Sequence, residues 1–228
     1  MVIDYSPLWI SIKTAFTATV LVFLLGIAAA WLLSGYNGKF KGLIDSIFTL
    51  PMVLPPTVVG FFLLVLVGRN SPIGQLLFSL GYQIIFSWSA TVIAATVVAF
   101  PLMYKTARGA FEQIDLNIIH AARTLGVPEW KIFWKLTVPL AWPGIAAGTV
   151  LSFARALGEF GATLMVAGNI PGRTQTIPIA IFFEAEGGHL DRALVWVILI
   201  FIISLVVITL MNYWTAYSGK KSTSIWSS

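Results

Sequence analysis

The sequence contains no cysteine and only two histidines among its 228 residues. Without cysteine the chain cannot form a disulfide framework, use a thiolate nucleophile or build cysteine-ligated zinc and iron–sulfur sites. The two histidines, His120 and His189, leave little for a histidine metal cluster. We therefore expect no metal site and no cofactor in this chain.

Charged residues are scarce as well, at 10% of the chain, whereas hydrophobic residues make up 58%. Typical soluble domains carry about 25% charged and about 45–50% apolar residues. This composition indicates a membrane protein without a sizeable extramembrane catalytic domain. The phosphate-binding pattern G-x-x-x-x-G-K-[ST] does not occur, so any ATP hydrolysis must come from another chain.

Five apolar segments are long enough to cross a bilayer as helices, for which roughly 17–25 residues are needed. They predict an all-α integral membrane protein with a single transmembrane domain over residues 1–228. Between 158 and 190 glycines and prolines divide an apolar stretch, which predicts a re-entrant or surface-lying segment, with a sixth span as the alternative. The predicted spans are about 10–34, 44–67, 84–104, 136–157 and 193–217.

The net charge of the chain is +5. In membrane proteins Lys and Arg gather in the cytoplasmic loops, so the positive charge here indicates membrane orientation. No nucleic-acid partner is expected. With five spans, nine of the Lys and Arg residues that lie in loops or after the last span fall on one side of the membrane and three on the other. This asymmetry places the N-terminus outside and the C-terminus in the cytoplasm. The cytoplasmic set is Lys39, Lys41, Lys105, Arg108, Arg123, Lys131, Lys135, Lys220 and Lys221, and the outer set is Arg69, Arg173 and Arg192.

The loop between the third and fourth spans, about 105–135, is far longer than a connection in a helix bundle requires. Its apolar residues recur at helical spacing, which predicts a short amphipathic helix ended by Gly126. Pro128 and Glu129 predict the start of a second helix with an aromatic face of Trp130, Phe133 and Trp134. The apolar stripe of the first helix is Ile114, Ile118, Ala121, Ala122 and Leu125.

A longer pattern includes this helix: His120-Ala121-Ala122, three residues, Gly126, nine residues, then Leu136-Thr137-Val138-Pro139. It resembles the loop motif of ABC importer permeases, Glu-Ala-Ala, three residues, Gly, nine residues, Ile-x-Leu-Pro, with His120 in place of the Glu. The resemblance implies that the helix docks on a cytoplasmic ATPase. The residues to which it assigns this coupling role are His120, Ala121, Ala122, Leu125 and Gly126.

Four further segments resemble the molybdate, tungstate and sulfate group of these permeases. The resemblance implies the type I importer permease fold and a permease subunit for molybdate or tungstate in the bacterial cytoplasmic membrane. It also implies three protein partners: an ATPase dimer, an extracytoplasmic oxyanion-binding protein and a second copy of the chain. A sulfate permease is the alternative. The segments are 50–56, 152–163, 169–172 and 174–178.

Two sets of residues inside the predicted spans are candidates for the translocation pathway. Pro51, Pro55 and Pro56 kink the second span and free backbone carbonyls, which either line a path or only shape packing. Arg155 and Glu159 can pair at i and i+4 at the outer end of the fourth span. That pair either attaches the helix to its neighbours or biases the outer mouth toward an oxyanion.

Two other function classes are less consistent with the sequence. An intramembrane enzyme needs a nucleophile with a base, or two acidic residues, at membrane depth, and neither histidine lies in a predicted span. An autonomous secondary transporter usually carries internal repeats or ionisable relays inside the membrane, and the sequence has neither.

The sequence contains one coupling motif and no internal repeat, whereas a symmetric ATPase dimer has two docking sites. This implies that two copies of the chain bind the ATPase dimer.

Overall fold

A computed structural model describes residues 4–36 and 38–224, so the ends of the predicted domain, residues 1 and 228, lie outside these ranges. The described residues are mostly helical and contain no strand, which confirms the predicted all-α class. A π-helical turn, Phe133–Thr137, joins α7 to α8. The helices are α1 (Ser6–Ser34), α2 (Lys41–Val53), α3 (Pro56–Val67), α4 (Pro72–Ser79), α5 (Trp88–Glu112), α6 (Leu116–Thr124), α7 (Glu129–Ile132), α8 (Val138–Leu157), α9 (Gly161–Ala167), α10 (Ile177–Glu186) and α11 (Leu190–Ser224).

Three long helices form the centre of the bundle. α5 packs against both α1 and α8, and α8 also contacts α1. Small residues allow the close approach of α5 and α8, because a Cβ on Gly144 would lie 2.5 Å from the Cβ of Ala110. Large side chains fill the remaining space, including the fully buried Met103, Tyr104 and Ile145. α5 is thus the helix around which the others are arranged.

The second predicted span, 44–67, is not one kinked helix. It consists of α2 and α3, whose axes differ by 115°. Leu54 is extended, as expected of a residue that precedes proline, and Pro55 is extended too, so two consecutive residues leave the helical conformation. Pro51 is accommodated inside α2. Among the described residues four helices are long and apolar enough to cross a membrane, or five if α2 and α3 count as one broken span.

The segment from 158 to 190 contains α9 and α10, which have 7 and 10 residues. Both are shorter than the roughly 17 residues that a crossing helix needs. α9 packs between α3 and α5, with Ala162, Val166 and Ala167 buried among residues of those helices. α9 therefore lies inside the bundle, whereas α10 packs against α11 and α1, and this segment contains no sixth helix of spanning length.

Several helices end at residues other than the predicted span ends. The spans are predicted from apolar runs, and a charged residue interrupts such a run although the helix itself continues. α5 continues to Glu112, eight residues beyond the predicted end at Tyr104. The second loop helix begins at Glu129 as predicted, but it runs through the π-helical turn directly into α8. The loop outside the helices is consequently shorter than 105–135, and α6 follows α5 after three residues.

Candidate coupling site and translocation elements

Local hydrogen bonds define both ends of α6. At its start the Asp115 carboxylate accepts a hydrogen bond from the backbone N–H of Asn117 at 2.9 Å. At its end Gly126 has a φ of +74°, and its N–H donates to the Arg123 carbonyl. The N–H of Val127 donates to the Ala122 carbonyl, which completes a Schellman motif. Gly126 thus ends the helix as predicted, because the left-handed conformation favours glycine.

The predicted apolar stripe of α6 is mostly exposed. Ala122 is buried, whereas Ala121 and Ile118 are exposed and Leu125 keeps 82% of its surface accessible. His120 is exposed as well. The predicted stripe is thus divided: Ala122 is buried and Ile114 packs against the bundle core, whereas Ile118, Ala121 and Leu125 are exposed. α6 therefore presents an apolar surface at the predicted cytoplasmic side, as the proposed coupling role requires.

An ion pair closes the elbow between α6 and α7. Arg123 Nε lies 2.6 Å from Glu129 Oε1, and Arg123 Nη2 donates to Glu129 Oε2 at 3.1 Å. The carboxylate raises the pKa of the Arg123 guanidinium above its ordinary value, chiefly through the hydrogen bond. Both side chains are about half exposed, so solvent screens the pair and it contributes mainly to orientation.

The aromatic face predicted for the second loop helix is divided between two environments. Trp130 and Trp134 are exposed, as expected of side chains at a membrane interface. Phe133 turns inward, with its ring centroid 4.8 Å from that of Trp31 in α1 and 6.4 Å from that of Phe111 in α5. This contact attaches the elbow to the ends of two spanning helices.

Two clefts flank α6. One, of about 630 Å³, lies between α6 and the ends of α1 and α5, and His120, Arg123 and Glu129 line it together with Trp31. The other, of about 510 Å³, lies along the crossing of α5 and α8 and reaches α6 at Ile118. α6 is consequently supported on limited contacts, with open space on both sides.

The predicted contact between Arg155 and Glu159 is present at the end of α8. Arg155 Nη1 lies 2.7 Å from Glu159 Oε2, and the two side chains are 32% and 1% exposed. Glu159 Oε1 also accepts a hydrogen bond from the backbone N–H of Ala162 at 2.8 Å. The buried carboxylate of Glu159 therefore forms two interactions, an ion pair with Arg155 of α8 and a hydrogen bond from an N-terminal amide of α9.

The proline bend lies beside this carboxylate. A Cβ on Gly161, two residues after Glu159, would lie 3.2 Å from the Cβ of Pro56. Further along the same crossing, a Cβ on Gly60 would lie 2.8 Å from the Cα of Ala162. The structure thus brings together two predicted sets of pathway residues, the prolines near Pro56 and the pair that contains Glu159. Their role in translocation stays a prediction.

Most of the chain matches a known protein family. Residues 22–222 match the family described as "Binding-protein-dependent transport system inner membrane component". The chain belongs to this family. Its membership confirms the predicted class of membrane permease subunit.

Known relatives of this permease cover nearly its whole length. It is 47% identical over 207 residues to a putative molybdenum transport system permease protein of Bacillus subtilis, covering 90% of each chain. It is 42% identical over 222 residues to the molybdenum transport system permease protein ModB of Escherichia coli, covering 96% of each. The fold is similar to that of a bacterial alginate ABC transporter solved in complex with an alginate-bound periplasmic protein. There the TM-score is 0.68 at 16% identity, over 91% of this chain and 77% of the other.

The permease also contains a polar cluster between α2 and α5 that the sequence pattern does not predict. Asp45 of α2 lies 2.6 Å from Arg108 Nη1 and 2.9 Å from Lys105 Nζ of α5, and it accepts a hydrogen bond from the Tyr104 hydroxyl at 2.7 Å. Arg108 also pairs with Glu112 at 2.8 Å. In the sequence, Lys105 and Arg108 indicate only the cytoplasmic side of the membrane. A carboxylate in an otherwise apolar segment was the available signal, because such a group requires a partner.

Proposed function

We propose that this chain is the membrane-embedded permease subunit of an ATP-driven importer for molybdate or tungstate. The observation that carries the proposal is α6, a helix with an exposed apolar face that begins three residues after α5 and ends at a left-handed glycine. The molybdenum transport permeases at 42–47% identity support the oxyanion as substrate.

The ATPase partner follows from the chemistry of α6. Leu116 and Ile118 of α6 and Leu125 directly after it are exposed, and this helix lies outside the apolar spans. A short helix of this kind is stabilised by insertion into an apolar groove of a partner. Because the chain lacks a phosphate-binding loop, a cytoplasmic ATPase supplies both the groove and ATP hydrolysis.

Two permease copies complete the assembly. One chain carries one coupling helix, whereas a symmetric ATPase dimer offers two equivalent grooves, so a homodimer with a two-fold axis is the simplest arrangement. An extracytoplasmic binding protein selects the oxyanion and delivers it, as the periplasmic protein in the alginate complex accompanies its transporter. The N-terminus lies outside and the C-terminus in the cytoplasm, following the distribution of Lys and Arg.

In this mechanism ATP binding closes the ATPase dimer and displaces both α6 helices. Each displacement is passed to α5 through the three connecting residues and to α1 through the ring of Phe133, which contacts Trp31. The bundle then rocks from an inward-open to an outward-open state, and the anion enters a weakly binding cavity. Weak binding is required because a site that held the anion tightly would not release it.

The decisive experiment is reconstitution of the chain with its ATPase and its binding protein in lipid vesicles. Uptake of molybdate, tungstate and sulfate is measured by mass detection, with and without ATP. We expect ATP-dependent uptake of molybdate or tungstate and little uptake of sulfate. Preferred sulfate uptake would instead identify a sulfate permease, and uptake without the ATPase would identify an autonomous transporter.

A further inference from the structure

The helix α2 has few contacts with the rest of the described chain. None of its residues is buried, and its packing partner is α5. Part of that contact is aromatic, since the ring of Phe48 lies 5.4 Å from Phe100 and 5.3 Å from Tyr104. These contacts are apolar, so they supply no charged or hydrogen-bonded link between α2 and α5.

The carboxylate of Asp45 supplies the directional part of the contact. Oδ1 lies 2.6 Å from Arg108 Nη1, and Oδ1 and Oδ2 lie 3.0 and 2.9 Å from Lys105 Nζ. Tyr104, fully buried, donates its hydroxyl to the same carboxylate and accepts a hydrogen bond from Arg108 at 2.9 Å. One acidic group of α2 is thus held by three side chains of α5, and charge-assisted bonds are the strongest of this type. We call Asp45, Tyr104, Lys105 and Arg108 the α2–α5 clamp.

The clamp lies close to the helix that would dock on the ATPase. Arg108 is one turn from the end of α5 at Glu112, with which it forms a second ion pair, and α6 begins at Leu116. At its other end α2 leads through Leu54 and Pro55 into α3 and the 115° bend. A displacement of α6 therefore reaches α5 directly, and the clamp is the polar link from α5 to the broken span.

We propose that Asp45 is a positioning residue that makes α2 move as one body with α5, so that displacement of α6 is transmitted to the bend before α3. The inference rests on the proposed function and adds a route by which coupling reaches the broken span. It predicts a defect in coupling rather than in insertion, assembly or ATP hydrolysis. Loss of the Asp45 charge removes the ion pairs between α2 and α5, while α5 and α6 remain connected.

The first test is Asp45→Asn in the complete reconstituted complex, with uptake and ATP hydrolysis measured together. The asparagine keeps the size of the side chain and an acceptor for Tyr104 but removes the charge that holds Lys105 and Arg108. We expect the number of anions imported per ATP to fall about fivefold or more, within the usual range of coupling between sites. The matched control is Glu184→Gln, which removes the ion pair between Glu184 and Arg192 and touches no residue of the clamp. Equal ratios in the two variants would overturn the proposal.

A second test replaces the clamp by a covalent bond, for which the absence of cysteine in the sequence provides a clean background. Asp45→Cys and Lys105→Cys are combined, and a bifunctional thiosulfonate reagent joins the two thiols. We expect a low ratio of uptake to hydrolysis in the unlinked double variant and recovery of most of the ratio after linking. Loss of uptake on linking would show that α2 and α5 must separate, and would overturn the proposal even if Asp45→Asn failed to assemble.

Failure of this inference can be distinguished from failure of the proposed function. If the unmodified complex imports no oxyanion with ATP, the proposed function fails and the clamp variants have no baseline. If the unmodified complex transports and the Asp45→Asn complex transports with the same yield per ATP, only the role of Asp45 fails.

Discussion

The Oγ of Ser11 accepts a hydrogen bond from the backbone N–H of Ile177 at 2.7 Å, although 166 residues separate the two. Ser11 lies near the start of α1, and Ile177 is the first residue of α10. Both residues are buried. The N–H of Ile177 has no partner within α10, because the first turn of any helix leaves its amide groups unpaired. One hydroxyl thus attaches the segment after α9 to the first spanning helix.

Replacement of Ser11 by alanine is expected to destabilise the protein. The buried N–H of Ile177 would lose its acceptor, and an unsatisfied buried donor costs about 1–3 kcal/mol. The measurement is thermal unfolding of the purified protein in detergent, where a lower midpoint is expected. Ser6→Ala is the control, because the Ser6 hydroxyl contacts Asp4 in an exposed position. Equal midpoints for the two variants would contradict the assignment.

Replacement of Gly126 by valine is expected to abolish transport and to leave membrane insertion intact. A left-handed conformation costs an ordinary residue about 1–2 kcal/mol, and a β-branched one tolerates it least. An added Cβ meets no atom within 4 Å, so the effect would come from the backbone alone. Gly126→Asn is the control, since asparagine adopts this conformation more readily. Uptake and co-purification of the ATPase are measured, and normal uptake with valine would count against the coupling role.

The Arg155–Glu159 pair allows a comparison of single and double variants. Arg155→Met leaves the buried Glu159 carboxylate without its cation, and such losses cost several kcal/mol in fully buried pairs, although partial exposure of Arg155 reduces the cost. Glu159→Gln added to that variant restores neutrality and keeps an acceptor for the N–H of Ala162. We expect the double variant to unfold at a higher temperature than Arg155→Met and to retain transport. Loss of uptake in an assembled double variant would instead favour a role for the charge at the outer mouth.

The crossing of α3 and α9 is expected to be sensitive to a single methyl group. In Gly60→Ala the new Cβ would lie 2.7 Å from the Cβ of Met165 and 2.8 Å from the Cα of Ala162, and neither atom can move without shifting backbone. Overpacking of this kind costs about 1–3 kcal/mol. Gly109→Ala in α5 is the control, because its Cβ would meet no atom within 4 Å and alanine favours helix. The prediction fails if the midpoint of unfolding is unchanged in Gly60→Ala.

The fold class, the start of the second loop helix and the glycine that ends α6 could be predicted because each depends on neighbouring residues. The 115° bend could not, because Pro55 and Pro56 determine where the helix stops but not the direction in which it resumes. That direction depends on α3 packing against α9 at Gly60, about 100 residues away in sequence. A proline pattern therefore predicted a kink where the structure has two separate helices.

The partner of Asp45 lay beyond prediction for a related reason. Arg108 is 63 residues away, and the sequence offers no means of choosing it over other cations of the cytoplasmic loops. Periodicity likewise grouped Ile118, Ala121, Ala122 and Leu125 on one face of α6, but it does not distinguish a face that packs on its own chain from one left for a partner. In the structure Ala122 of that face is buried, whereas Leu125 keeps 82% of its surface accessible.

The named bonds of the elbow after α5 have one further consequence, which concerns the order of assembly. Each of these bonds joins residues no more than six positions apart in the sequence. They are the hydrogen bonds of Asp115, Gly126 and Val127 and the ion pair between Arg123 and Glu129. Short loops close quickly and at little entropic cost. These bonds of the elbow therefore need no residue beyond Glu129, whereas the bond of Ser11 cannot form until residue 177 has been synthesised. The local bonds around α6 can thus form before the contact that joins α1 to α10.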